Sequence, residues 1–77
     1  MIIVSQDKDM IINFENIAVI EMEDLYDDNS WVRISAETDG QGIILGDYRT
    51  DNRAKEILQE IVTNYINDCK SYRMPKE

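Results

Sequence analysis

Between Leu45 and Leu58 the chain reads LGDYRTDNRAKEIL, a strand end that passes through a glycine, an aromatic residue and two arginines into a helix start. Two chemistries suit such a joint: backbone amides of a glycine-rich loop cradling phosphate, or Arg49 and Arg53 holding an anion at a helix N-terminus. A dinucleotide fingerprint needs G-x-G-x-x-G between a strand and a helix. Here Gly40, Gly42 and Gly46 are spaced G-x-G-x-x-x-G, with more strand before the helix, and no Walker pattern is present. Gly46 is therefore read as a bend at the strand end and Tyr48 as packing on the first helical turn. The anion reading survives only at Arg49 and Arg53.

A second group is EMEDLYDDNS, Glu21 to Ser30, with five carboxylates and no basic residue. A calcium loop beginning at Asp27 finds a ligand at Asn29 but then meets Trp31 and Val32, where a ligand and a sharp-turn glycine are required. Paired carboxylates do general acid–base work when one sits in an apolar pocket, and the sequence supplies none here. What remains is an acidic prong of Glu21, Glu23, Asp24, Asp27 and Asp28 that docks on a basic protein surface, against a solvated hairpin tip. Trp31 beside Arg33 is the kind of pair found at binding hot spots. Cys69 falls on an apolar helical stripe and reads as a buried thiol, since the chain has no histidine to activate it.

Composition narrows the classes further. Seventy-seven residues allow one thin-cored domain. Sixteen acidic against 8 basic residues give a net charge of −8, which opposes nonspecific binding to nucleic acid or anionic membranes and favours basic partners. Without histidine, Ser-His-Asp, Cys-His and His-containing zinc sites are impossible. No catalytic residue, metal or cofactor is expected. One cysteine excludes an internal disulfide, and no apolar run spans a bilayer or resembles a signal peptide, so a cytoplasmic location is expected.

These residues must be carried by alternating strands. Met1 to Ser5 reads as a short strand and Gly42 to Leu45 as the start of the last one, while MIINF, IAVIEME and WVRISAE show period two, with turns at SQDKD, near Asn16 and at Asp39-Gly40. From Asp51 the period becomes helical: Ala54, Ile57, Leu58, Ile61, Tyr65 and Cys69 form a stripe that Val62 and Ile66 widen. Thr50 is placed to cap, Asp51 suits the positive end of the dipole and Lys70 the negative end. The expected fold is α+β: an antiparallel meander of about five strands over residues 1–48, one helix at about 51–70 packed across one face, and a tail at 71–77. A helix covering Ile12, Phe14, Ile20 and Ile34 would leave Ile11, Val19 and Trp31 on the other face, where contiguity would make them a self-association or partner surface.

The segments VSQDK (4–8), NFENI (13–17), LGDYRT (45–50), RAKEILQEI (53–61) and YRMP (72–75) resemble an uncharacterised small-protein family of Gram-positive bacteria and their phages. That resemblance implies a small intracellular protein often encoded on mobile elements, with no assigned activity; the loop Asp24 to Ser30 lies outside the shared pattern. Taken together, these readings point to a non-enzymatic protein that inhibits or adapts a host protein with a basic surface, such as a host-defence or nucleic-acid-handling protein. The alternative is an oligomeric binder that sequesters an anionic nucleotide through Arg33, Arg49 or Arg53.

Overall fold

The computed structural model describes residues 1–28 and 30–77; Asn29, the residue that fits a calcium-loop position, lies outside them. Among the described residues, six strands and one helix follow the order β1 (Ile2–Val4), β2 (Ile11–Asn13), a 3₁₀ turn (Phe14–Asn16), β3 (Val19–Asp24), β4 (Val32–Thr38), β5 (Gln41–Tyr48), α1 (Asp51–Ile66) and β6 (Ser71–Arg73). The fold is α+β, with the helix packed against the sheets. The strands form two three-stranded sheets, β2-β1-β6 and the antiparallel meander β3-β4-β5, rather than one five-stranded meander.

The difference comes from the last residues. SYRMP alternates, and Tyr72 and Met74 are 6% and 5% exposed. The expected tail thus contains β6, which pairs parallel to β1 with Ile3 opposite Tyr72. Parallel neighbours cannot be joined by a tight hairpin, so this pairing is invisible to any local reading of either segment. Met74 extends it by donating its amide to the Val4 carbonyl at 2.9 Å.

Local signals fixed the meander well. Asp39 and Gly40 have φ of 49° and 80°, the positive values that a two-residue hairpin needs. In β5, Gly46 pairs with Ile34 and Ile44 with Ser35, so Leu45 is the extra residue of a β-bulge. The bulge places Leu45 in the core at 1% exposure. A Cβ on Gly46 would lie 2.8 Å from Tyr48 Oη, 2.9 Å from its Cε2 and 3.0 Å from Gln6 Cβ. This glycine makes room for the Tyr48 ring, beyond marking a bend.

The Thr50 hydroxyl caps α1 by accepting from the Arg53 amide at 3.1 Å. The helix ends four residues earlier than its periodicity predicts. Asp68 turns left-handed at φ 57°, and its amide and that of Cys69 return to the Tyr65 and Asn64 carbonyls at 3.1 and 2.9 Å, a Schellman closure. Lys70 consequently leaves the helix end, its carbonyl accepting from the Ile2 amide at 2.9 Å. Cys69 is exposed, contrary to the buried position expected from the stripe, because the chain reverses before it.

The helix lies on β4, β5 and β6. Ala54, Ile57 and Ile61 are buried with Ile3, Val32, Ile34, Leu45 and Tyr48 in one core. The stripe is wider than this core can cover: Val62, Tyr65 and Ile66 remain 49%, 46% and 70% exposed. Among the described residues, no helix is long and apolar enough to cross a membrane.

Candidate functional site

The β3–β4 hairpin gathers the acidic residues. Its register sets Glu21 opposite Ser35, Glu23 opposite Arg33 and Asp24 opposite Val32. Strand alternation puts Glu21 and Glu23 on the outer face and Asp24 on the face towards the helix. Glu21, Glu23 and Asp24 are exposed, as are Asp27 and Asp28 in the connecting turn. The Asp24 carboxyl is held above its ordinary value, first by partial desolvation and then by the neighbouring Asp51 carboxylate. The prong therefore continues into the acidic first turn of α1. Asp28 lies below the ordinary range because its carboxylate accepts from Ser30, whose amide is 3.0 Å away.

Each of Arg33, Arg49 and Arg53 already has a partner within the chain. Arg33 forms a two-pronged bond to Asp47, Nε to Oδ1 at 2.8 Å and Nη2 to Oδ2 at 3.2 Å. This pairing raises the guanidinium above its ordinary value. Arg53 donates Nε to the Glu77 carbonyl at 3.0 Å, and its Nη1 lies 3.4 Å from Glu56 and 3.7 Å from Glu60. Arg49 sits over the Trp31 ring, 4.8 Å from the centroid, in a cation–π contact. A cleft of about 440 Å³ lies between Trp31, Tyr48, Arg49 and Arg53; Lys76 adds a third cation to its lining, and Asp47 and Glu77 add carboxylates. Trp31 thus partners Arg49, while Arg33 turns to Asp47.

Ile11, Val19 and Trp31 do not share one face. Ile11 belongs to β2 in the other sheet, 70% exposed. Val19 begins the outer face of β3, and Trp31 precedes β4 beneath Arg49. The expected grouping assumed that β2 and β3 belong to one sheet, whereas the 3₁₀ turn between them switches sheets.

In place of that grouping is a surface the sequence reading missed. An apolar groove of about 300 Å³ runs between the 3₁₀ turn, the start of β3 and the helix, lined by Phe14, Ile17, Ile20, Leu58, Ile61 and Val62. The Phe14 ring meets Tyr65 with centroids 4.8 Å apart at its end. The sequence signal was the excess width of the helical stripe at Val62 and Ile66, which a three-stranded sheet could not have covered.

The groove adjoins a sheet edge that is unpaired among the described residues. The outer edge of β5 is occupied: the Gln6 amide donates to the Leu45 carbonyl at 2.8 Å, and the Gln6 side chain brackets Asp47, accepting from its amide at 2.8 Å and donating to its carbonyl at 3.0 Å. Among the described residues, the outer edge of β3 has no strand beside it. Comparison with protein-family models, curated proteins and solved structures finds no match.

Proposed function

We propose that this chain is a non-enzymatic interaction protein that binds, and thereby inhibits or adapts, a protein with a basic surface. The supporting observation is that Glu21, Glu23, Asp24, Asp27 and Asp28 all stand exposed on one hairpin, while Arg33, the cation across from Glu23, is engaged with Asp47. Charges so arranged raise the encounter rate with a positive patch and reject anionic surfaces. We propose further that the partner belongs to a bacterial host, with this protein carried by a phage or mobile element and acting in the cytoplasm.

Nucleotide sequestration has less support, because Arg33 and Arg53 are both committed to carboxylate or carbonyl oxygens of the chain itself. The test is affinity capture from host extract with the wild-type chain and with a variant carrying Glu21→Gln, Glu23→Gln, Asp24→Asn, Asp27→Asn and Asp28→Asn. The expected result is a basic protein retained by the wild type, released by salt and lost with the neutralised variant. Equal retention by both would contradict the reading.

A further inference from the structure

We infer that the partner docks by strand addition: an extended segment, basic on alternate residues and apolar on the others, pairs with the open edge of β3. This inference rests on the basic-partner reading and specifies how that partner binds. In an antiparallel ladder, alternate residues direct their amide and carbonyl groups towards the same neighbour. The Leu25 amide bonds the Trp31 carbonyl at 2.9 Å, so Glu23, Glu21 and Val19 also face β4. Ile20, Met22 and Asp24 then present their backbone groups to the open edge, where β3 has no neighbour among the described residues.

The two faces of this edge differ in chemistry. On the outer face an added strand lies beside Glu21 and Glu23, where lysine or arginine side chains find opposite charge across the strands. On the inner face it lies beside Ile20 and Met22, both half-buried, next to the groove of Phe14, Ile17, Leu58 and Val62. An alternating basic–apolar segment of about five residues satisfies both faces and the backbone together. A second copy of the chain fits poorly, because antiparallel pairing of β3 with itself about Met22 sets Glu21 of each copy against Glu23 of the other. The same carboxylates keep an otherwise exposed edge from self-pairing.

The test uses three blocked seven-residue peptides: alternating lysine and valine, the same with its central valine replaced by proline, and alternating glutamate and valine. Amide exchange of the full chain is followed by NMR. The lysine–valine peptide should slow exchange at Ile20, Met22 and Asp24 at least tenfold at saturation. The proline peptide should bind at least tenfold more weakly, and the glutamate peptide should not bind. Met22→Pro removes an outward amide without touching the β4 ladder and should weaken binding at least tenfold; its fold is checked by circular dichroism. If that variant unfolds, Glu21→Gln with Glu23→Gln serves instead and should lower both affinity and its salt dependence. Equal binding of both lysine peptides without protection at β3 would overturn strand addition and leave the basic-partner reading intact. No binding of either at millimolar concentration would overturn both. Protection that grows with protein concentration in the absence of peptide would mean that a second copy occupies the edge, which also overturns the inference.

Discussion

At Gly46 a single missing Cβ decides the packing of an aromatic ring. Gly46→Ala places a methyl group within 3.0 Å of Tyr48 and Gln6. Overpacking of this kind should cost about 1 to 3 kcal/mol, measured by urea denaturation. Tyr48 is 1% exposed and donates its hydroxyl to the Pro75 carbonyl at 2.7 Å. Burial pushes it from 10.0 up to about 12. Burial shifts Tyr72 in the same direction, reinforced by its hydrogen bond to Glu60. The raised folded value fixes the sign. The contribution is intact below pH 10 and is lost as pH rises towards 12, because the unfolded phenols ionise first. Stability should therefore fall over that window, and Tyr48→Phe should make the fall shallower while costing about 1 kcal/mol at neutral pH. A denaturation midpoint that stays flat across the window would contradict this. The identities of Gly46 and Tyr48 were legible in the sequence; their mutual contact was not, because it depends on the bulge that turns Leu45 inward.

The elements divide the same way between what is local and what is not. Thr50 at the N-cap and Asp39-Gly40 at the hairpin carry their geometry in their own chemistry, so the start of α1 and the β4–β5 turn could be read directly. The helix end could not, because Asp68 rather than glycine occupies the left-handed position and the stripe continues formally to Cys69. Asp68→Gly should stabilise the chain by about 0.5 to 1 kcal/mol by relieving the cost of that conformation, read as a higher melting temperature. β6 escaped detection for another reason: three residues with a distant parallel partner carry almost no local signal. Its importance can be tested by ending the chain after Lys70. The truncation removes Tyr72 and Met74 from the core and the Pro75 partner of Tyr48. With each buried side chain worth about 1.5 to 3 kcal/mol against a typical stability of 5 to 15, cooperative melting should be lost. Ending at Thr50, before α1, should abolish it as well. A sharp transition in either fragment would contradict this division of the core.

Across the whole molecule, charge and apolar surface are arranged around the β3–β4 hairpin, and the acidic part of that arrangement was visible in the sequence. The apolar groove beside it was not, since its existence depends on two small sheets leaving half the helical stripe uncovered. The competing nucleotide reading makes a separate prediction: a bound nucleotide would raise the melting temperature by mass action, and Arg49→Ala with Arg53→Ala would remove the shift. With Arg53 held by Glu77, Glu56 and Glu60, and Asp47 and Glu77 lining the cleft beside it, no shift is expected with linear or cyclic nucleotides. The most direct measurement is the association rate with the recovered basic partner, by surface plasmon resonance at low and physiological salt, for the wild type and for Asp24→Asn, Asp27→Asn, Asp28→Asn. Exposed charges act over a Debye length of about 8 Å at physiological salt and govern encounter more than dissociation. The triple variant should associate more slowly with a flatter salt dependence and a nearly unchanged dissociation rate; association at the wild-type rate with the same salt slope would contradict the account.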